Sequence, residues 1–333
     1  MNQKKLTLIL AMLVLAVFAV GAVSAADNVT ADIDEPASDI VIDDVPAVET
    51  DESEPADLDA AEDSNSGTRG PTINVVNYSP SITYCTKVIV QNNTIYNGNG
   101  ATIYGTGSDD VFVVDNAENF TITGFNIIVN STSKIGIHGA NIKNATISNN
   151  NITGGKDGIN IKQTYDKVTI TNNNIAGVVR DAISLVDHST LSDTAWANRP
   201  CSIISNNVIT GPSEYGVFIG GNFKGEISNN VVTDVDVGFE FAGKKAATNG
   251  RLCVLFNNNT INNVGNGINM YHPNVICFNL TNSNIYADDY AIYTNSNFVA
   301  SGYVGVYNSN FTGTVSSAFK TAAGNNTANN TGF

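Results

Sequence analysis

Residues 168–175 read Val-Thr-Ile-Thr-Asn-Asn-Asn-Ile, and variants of this phrase recur along the chain. Its closing apolar residue occurs nine times, at Ile95, Ile127, Ile152, Ile175, Ile209, Val232, Ile261, Ile285 and Phe311. Three residues earlier, eight of nine positions are asparagine: Asn92, Gly124, Asn149, Asn172, Asn206, Asn229, Asn258, Asn282 and Asn308. Five residues earlier, all nine are apolar: Val90, Ile122, Ile147, Ile170, Ile204, Ile227, Phe256, Leu280 and Val306. Such a short unit cannot bury its apolar face alone, so the repeats are predicted to stack.

The periodicity inside each repeat is that of β-strands. Apolar residues alternate at Val168 and Ile170, and a second alternating stretch follows each turn, as in Gly-Ile-Asn-Ile at 158–161. Strand, asparagine turn, short strand, turn and strand predict an all-β parallel solenoid of about nine coils. The asparagine position suits a left-handed turn residue, and stacked amides there could hydrogen-bond between coils.

The N-terminal region differs from the repeats in composition. Residues 1–26 are predicted to be a signal peptide, with Lys4 and Lys5 before an 18-residue apolar run at 6–23 and Val-Ser-Ala at 23–25. The length of the run also permits an uncleaved N-terminal membrane anchor. Both alternatives predict a secreted or cell-surface protein, with the membrane involved only through that anchor.

The acidity of the chain is concentrated in one segment. Residues 27–63 contain 15 acidic residues and no lysine or arginine, whereas 64–333 contain 16 acids and 14 bases. Residues 27–70 are therefore predicted to be a disordered acidic spacer, followed by a β-helix domain with an N-terminal cap at 71–324 and a polar C-terminal tail at 325–333. The absence of a basic stripe argues against nucleic acid as a partner.

The phrase at 168–173, together with Asp-Gly-Ile-Asn-Ile at 157–161, resembles the repeat of right-handed β-helix proteins of the pectin-lyase-like superfamily. The resemblance covers residues 72–320 and implies a right-handed, single-stranded parallel β-helix. With its predicted signal and acidic spacer, the chain is most similar in character to adhesin-like surface proteins of methanogenic archaea. Because this superfold hosts lyases, hydrolases and passive surface rods, function has to be argued from a site.

Strand parity identifies an outward row on the Gly-Ile-x-Ile strands. The row reads His138, Asn160, Ser184, Phe218, Glu240, Asn269, Tyr293 and Lys320. Amides and rings on one face suit stacking against sugars, so a ligand-binding surface for glycans or surface proteins of other cells is predicted. Its proposed residues are Asn160, Phe218, Asn269, Tyr271 and Tyr293. The alternative is an ordinary sheet surface.

The longest insertion, residues 186–200, is the most enzyme-like segment. Its Leu-Val-Asp-His at 185–188 is similar to the Trp-Ile-Asp-His phrase of pectate lyases, although the tryptophan is missing. A polysaccharide lyase or glycosidase would be built around Asp187, His188, Arg199 and Glu240, with calcium as the cofactor of a lyase. The favoured interpretation is that Asp187 and Arg199 pair to hold the loop, because two local acids are too few for calcium. No catalytic residue, metal or cofactor is therefore assigned.

An acid also recurs in the turn before the outward-bearing strand, at Asp157, Asp181, Glu214, Asp236 and Asp289. These carboxylates could bind calcium along an edge, but the favoured interpretation is that they shape the turns by accepting bonds from backbone amides.

Three of the four cysteines share one repeat position. Cys253 and Cys277 lie on consecutive coils and are predicted to be within disulfide range, whereas an intervening coil with Lys224 separates Cys201 from Cys253. In a host that lives without oxygen, all four cysteines could remain thiols. Twelve Asn-x-Ser/Thr triplets permit glycosylation, and the rod is predicted to be monomeric.

Overall fold

The computed structural model of the protein describes residues 71–243 and 250–333. The predicted signal peptide and acidic spacer lie outside the described residues. Two short helices are present, α1 (Asp193–Asn198) and α2 (Ser317–Ala323). Neither is long and apolar enough to cross a bilayer, and no other helix occurs in the described ranges.

All other regular structure in the described ranges is β-strand. The strands are β1 (Asn74–Asn77), β2 (Thr83–Cys85), β3 (Val88–Ile89), β4 (Thr94–Asn97), β5 (Thr102–Tyr104), β6 (Phe112–Asp115), β7 (Glu118–Thr123), β8 (Asn126–Val129), β9 (Ile135–Ser148), β10 (Asn151–Gly154), β11 (Asp157–Thr171), β12 (Asn174–Ala176), β13 (Asp181–Asp187), β14 (Ser202–Ser205), β15 (Val208–Thr210), β16 (Tyr215–Gly221), β17 (Phe223–Ser228), β18 (Val231–Thr233), β19 (Val237–Ala242), β20 (Leu252–Asn257), β21 (Thr260–Tyr271), β22 (Val275–Thr281), β23 (Asn284–Thr294), β24 (Ala300–Tyr307), β25 (Asn310–Val315) and β26 (Thr327–Ala328).

The strands form three parallel sheets around one core, and the long strands β9, β11, β21 and β23 each contribute to two of them. The first sheet stacks β1, β4, β7, β9, β11, β14, β17, β20, β22, β24 and β26. The second stacks β2, β5, β8, β10, β12, β15, β18, β21, β23 and β25. The third stacks β3, β6, β9, β11, β13, β16, β19, β21, β23 and the end of β25. The predicted all-β parallel solenoid is confirmed, with about ten turns.

The repeat positions read from the sequence form the core. The closing residues from Ile127 to Ile285 are fully buried and stack in register from coil to coil. The apolar residues five positions earlier, from Ile122 to Val306, are likewise fully buried. Stacked Ile, Val and Phe side chains exclude water along the rod, so the hydrophobic effect stabilises each coil only when its neighbours are present.

The first predicted repeat is out of register. Ile95 lies beside Thr121, and Ile103 takes the place opposite Ile127. The extra turn at 98–101 causes the shift, since Asn99 (φ 51°) and Gly100 (φ 86°) turn the chain before β5. The residues predicted as an N-terminal cap instead supply β1 and β2 of the first coil.

The C-terminal residues are also part of the rod and not a polar tail. Thr327 and Ala328 pair with β24, and Thr331 bridges to Asn310. Phe333 packs against Phe311, with ring centroids 5.6 Å apart. The asparagines at 326, 329 and 330 make hydrogen bonds to the preceding coil, which explains why a polar segment is ordered there.

The asparagine phrase has two distinct functions in the fold. The asparagine three residues before each closing position adopts the predicted left-handed conformation, with φ between 50° and 57° from Asn149 to Asn308. The continuous coil-to-coil ladder is formed by the next residue, and not by the predicted one. Its members are Asn150, Asn173, Asn207, Asn230 and Asn259, continued by Ser283, Ser309 and Asn330.

The five ladder amides from Asn150 to Asn259 are buried, and their polar atoms are bonded, as Asn207 illustrates. The Nδ2 group of Asn207 donates to Oδ1 of Asn230 (3.0 Å) and to the carbonyl of Ile170 (3.0 Å). Its Oδ1 accepts from both the backbone N and the Nδ2 of Asn173, each at 3.0 Å. One side chain thus satisfies polar groups on both neighbouring coils, which a buried turn requires.

The structure joins Cys253 and Cys277 by a disulfide between facing residues of β20 and β22, with Cα atoms 4.3 Å apart. Lys224 pairs with Cys253 on the other side, so Cys201 is one coil too far away. Cys85 and Cys201 are exposed free thiols.

We predict that Asn207→Ala lowers the free energy of unfolding by about 3 kcal/mol, because it leaves buried donors and acceptors on two coils without partners. Asn174→Ala is the matched control, since exposed Asn174 makes one side-chain bond, to Asn151 (3.0 Å), and should cost less than about 1 kcal/mol. Denaturant unfolding of both variants measures the difference. Equal losses would contradict the role assigned to the ladder.

Candidate functional site

The predicted outward row exists on the third sheet. Register places in line His138, Asn160, Ser184, Phe218, Glu240, Asn269 and Tyr293, which we call the outer row. Lys320 is not a member, because β25 ends at Val315 and Lys320 lies in α2. The residues that alternate with the row, such as Ile159 and Ile161, belong to the core. The row therefore faces away from the core.

Turn acids lie beside the row at its centre. Arg180 donates from Nε (3.0 Å) and Nη2 (2.7 Å) to the Asp157 carboxylate, and its Nη2 lies 3.2 Å from Oδ2 of Asp181. Burial, followed by the nearby charges of Asp157 and Glu214, raises the pKa of Asp181 to about 6, although Arg180 opposes the shift. The single guanidinium serves two carboxylates, so the cluster remains net negative when both are ionised.

Asn160 is predicted to bind ligand, but it lies fully buried at this acid cluster. Its Nδ2 donates to Oδ2 of Asp157 at 2.5 Å, while its Oδ1 is buried without a hydrogen-bond partner. Asn160 therefore supports Asp157 and does not offer an open amide on the surface.

Glu240 is a carboxylate buried among neutral and acidic groups. It is 7% exposed, and its Oε2 accepts a bond from Nδ2 of Asn269 (3.3 Å). Burial raises the pKa of Glu240 to about 7; the hydrogen bond from Asn269 opposes this shift, and the charges of Glu214 and Asp181 add to it. Among the described residues, no lysine or arginine forms an ion pair with Glu240.

Aromatic rings surround this end of the row. Tyr215 and Phe218 meet edge-on with centroids 5.5 Å apart, as do Tyr271 and Tyr293 at 5.7 Å. Tyr290 extends the second group, with its centroid 4.8 Å from that of Tyr293. Burial and the Glu240 charge raise the pKa of Tyr271 to about 12, so its hydroxyl is neutral and can donate. Four of the five predicted binding residues, all except Asn160, thus lie around Glu240.

Tyr215 was not predicted to lie on this face, and the turn acids were predicted only to shape their turns or to bind calcium. A signal was available, since the turn residue precedes the row residue by three in Asp157/Asn160, Asp181/Ser184 and Tyr215/Phe218. A pair at the other end of the row was also not predicted, where His138 Nδ1 lies 2.8 Å from Oδ2 of Asp110. Asp110 precedes β6, and its Oδ1 also accepts a bond from the backbone N of Ile135 at 2.8 Å.

The four residues of the predicted enzyme alternative do not form one site. Arg199 Nη1 donates to Oδ2 of Asp187 at 2.6 Å, and both side chains are buried. Arg199 Nη2 also donates to the carbonyl of Tyr165 (2.8 Å), and its guanidinium lies 4.9 Å from the centroid of the Tyr165 ring. Glu240 belongs to the outer row and does not line the cleft beside this pair.

That cleft has a volume of about 600 Å³ and lies between the 186–200 loop and the turns that carry Asn116, Asn141 and Lys143. Contacts hold the loop against the rod: Arg251 pairs with Asp193 and lies 5.9 Å from the Trp196 ring centroid. His188 lies beside Gly221, where an added Cβ would approach its Nδ1 to 2.8 Å. Asp187 is thus a paired, buried carboxylate that anchors the loop. Within the described parts of the chain, no three His, Cys, Asp or Glu side chains gather as a metal site.

Comparison with known protein families yields one match. The model described as "Right handed beta helix region" matches residues 81–249 and 157–332. No curated protein and no solved structure matches the chain. The match concerns the fold and carries no information about ligand or reaction.

We predict that Arg199→Ala lowers the free energy of unfolding by about 3 to 5 kcal/mol, because it leaves the buried Asp187 charge unpaired. Arg251→Ala is the control: its partner Asp193 is 94% exposed, and such ion pairs contribute about 1 kcal/mol or less. Urea unfolding tests both variants. A loss below about 1 kcal/mol for Arg199→Ala would show that the pair does not anchor the loop.

We predict that Glu240→Gln changes how stability depends on pH. Because the folded-state pKa of about 7 exceeds the ordinary value of 4.5, the contribution of Glu240 is full below pH 4.5 and is lost as pH rises through 7. Glutamine keeps an acceptor for Asn269 and never ionises. The variant should match the wild type near pH 4 and be more stable by about 1 to 2 kcal/mol at pH 8, allowing for solvent screening.

Unfolding curves between pH 4 and 8 test this expectation, with Glu226→Gln as the control because Glu226 is exposed on the first sheet. Asp181 is present in all three proteins, so the difference reports Glu240 alone. A constant difference between wild type and Glu240→Gln across this range would count against a buried, hard-to-ionise Glu240.

Proposed function

We propose that this chain, which belongs to the right-handed beta-helix family, is a non-catalytic, adhesin-like surface protein that binds glycans through the outer row of its third sheet. The observation that carries the proposal is the group of half-exposed rings that Phe218, Tyr271 and Tyr293 form on one face of the third sheet. Rings stack on the apolar faces of sugars, while the phenolic hydroxyls of Tyr271 and Tyr293 can bond sugar hydroxyl groups.

The shape of the surface favours a polymeric ligand. Row residues on successive coils are separated by the spacing of paired strands, about 4.8 Å, so the side chains of the row follow one another at a regular interval along the rod. A chain of sugars lying along the row can contact several coils at once, and several weak contacts then combine into useful affinity. The same surface could receive the glycans of another cell.

A location outside the cytoplasm is part of the proposal. It is supported by the two lysines and apolar run of residues 1–26, and by the Cys253–Cys277 disulfide, since disulfides persist mainly in oxidising compartments. Whether the apolar run is removed or retained as an anchor is decided by N-terminal sequencing of the protein from its host. The asparagine triplets on the rod could carry sugars of their own.

A second candidate function is hydrolysis or elimination on a polysaccharide. It is favoured by the elevated pKa values of Asp181 (about 6) and Glu240 (about 7), since one carboxyl group can be protonated while another is ionised. This version of the enzyme hypothesis uses the turn acid Asp181 and the outer-row acid Glu240, and it leaves Asp187, His188 and Arg199 to the loop.

A glycan array tests the binding proposal. The double variant Tyr271→Ala/Tyr293→Ala should lose at least about tenfold in affinity, because ring stacking contributes about 1 to 2 kcal/mol per contact. Tyr286→Ala is the matched control, since Tyr286 lies on the same strand as Tyr293 but belongs to the second sheet and is 39% exposed. Equal binding by all three proteins would exclude this face as the binding site.

Enzyme activity is tested separately. The protein is incubated with polygalacturonate and calcium, following the absorbance of an unsaturated product, and with neutral polysaccharides, following new reducing ends. Turnover abolished by Asp181→Asn/Glu240→Gln would replace the non-catalytic proposal by the second candidate. If neither binding nor turnover is found, the protein is a stiff spacer and both proposals fail.

A further inference from the structure

The surroundings of Glu240 point to one class of ligand. The outer row places Phe218 one coil before Glu240 and Asn269 one coil after it, and Tyr271 faces Ala242, two residues beyond Glu240. We propose that Glu240, Phe218 and Tyr271 form a subsite for an organic ammonium group, carried by a sugar with a free amino group. This inference rests on the proposed glycan-binding function and specifies its ligand.

Glu240 forms no ion pair with a lysine or arginine among the described residues. Arg180 is already bonded to Asp157 and Asp181, on coils before that of Phe218. The titratable groups that influence Glu240 or its nearest rings are Asp181, Glu214, Tyr215, Tyr271 and Tyr293, which are acidic or neutral. An ionised Glu240 therefore lacks a counter-charge among the described residues, and a bound cation would supply it.

The Glu240 carboxylate is buried but only partly hydrogen-bonded. The residue is more than nine-tenths buried, yet only Oε2 has a hydrogen-bond partner, the amide of Asn269 at 3.3 Å. Oε1 has none among the described residues, and it is not one of the fully buried unpartnered atoms. A buried carboxylate with one free oxygen that still reaches the surface is a receptor for a donor from outside.

Aromatic rings lie beside the Glu240 carboxylate. Phe218, Tyr215 and Tyr271 are only partly buried, so parts of these rings stay open to a ligand. Ammonium groups are attracted to ring faces within about 6 Å of the centroid, and the attraction is strongest where water is partly excluded. Gly220 and Ala242 occupy the outward positions between Val186 and Tyr271, and the Phe218 ring packs over Gly220, where an added Cβ would lie 3.1 Å from its Cε1.

A metal ion fits the site less well than an organic cation. Calcium takes about six to eight oxygen ligands. The subsite offers the carboxylate of Glu240, whereas the amide oxygen of Asn269 already accepts a bond from Nδ2 of Asn266 (3.1 Å), and no three carboxylates gather within the described residues. The hydroxyl of Tyr271 is suited to a sugar hydroxyl, which favours an amino sugar over a simple amine.

The elevated pKa of Glu240 is that of a desolvated carboxylate without a neighbouring positive charge among the described residues. Desolvation disfavours the carboxylate until an opposite charge arrives, so a bound ammonium group should lower this pKa. The same effect makes the subsite selective: a neutral N-acetyl group brings no charge to compensate for the desolvated acid.

Titration calorimetry on the full chain at pH 7 compares a glucosamine hexasaccharide with its fully N-acetylated counterpart. The two probes share one backbone and differ in the amino group. We expect the amino form to bind at least about tenfold more tightly. Glu240→Gln should remove most of that preference, whereas exposed Glu226→Gln should retain it.

Tyr271→Leu provides a second variant in case Glu240→Gln does not fold. It keeps the acid, removes the ring and should weaken the amino form several-fold, while Tyr286→Leu should not. Circular dichroism confirms that each variant is folded. A lysine-rich peptide is the third probe, and its binding in place of the amino glycan would overturn the assignment to a sugar.

The outcomes separate the two proposals. Equal or tighter binding of the N-acetylated form, unchanged in Glu240→Gln, would overturn the ammonium subsite while leaving glycan binding intact. Array binding without any response to either hexasaccharide would overturn the subsite in the same way. Silence on the whole array would remove the proposed function and this inference together.

Discussion

The structure depends on a hydrogen-bonded ladder of buried amides that links one coil to the next. Asn173, Asn207 and Asn230 each satisfy polar groups on both neighbouring coils, at a turn where the backbone would otherwise be left unpaired. The preceding asparagine adopts the left-handed conformation that turns the chain. The Asn-Asn pair therefore combines a bend with a bond between coils, and repetition of the pair keeps successive coils in register.

Register has a direct consequence for function. Once the coils superpose, every outward position becomes a row, and its chemistry is set by residues that are 22 to 34 apart in sequence. At the outer row this brings Phe218, Glu240 and Asn269 side by side. Because the rod buries its apolar residues inside, the polar and aromatic groups of this row can vary with little cost to the fold, which makes the row a suitable place for a binding site.

The two sets of charged groups in the molecule have different physical roles. Asp187 and Arg199 are buried together and bonded to each other, and Arg199 also bonds the carbonyl of Tyr165, so this ion pair holds the insertion in place. Glu240 is buried without a cationic partner among the described residues, so its electrostatic energy is open to change by a ligand. This contrast favours the sheet face over the loop as the candidate site, in line with the role predicted for each from the sequence.

The sequence alone determined the solenoid, because Ile127, Ile152 and Ile175 keep an apolar position in register that only stacked coils can bury. It also indicated the facing cysteines and placed Phe218, Asn269, Tyr271 and Tyr293 on one face of a sheet, since strand parity is a local property. It misplaced Ile95 and the polar C-terminal segment, where short insertions and hydrogen bonds to the preceding coil decide the register. Only the tertiary structure decided which asparagine forms the ladder, that Asn160 is buried and that Glu240 stands apart from Asp187. Those outcomes depend on desolvation and on contacts between coils, which arise only when distant parts of the chain come together.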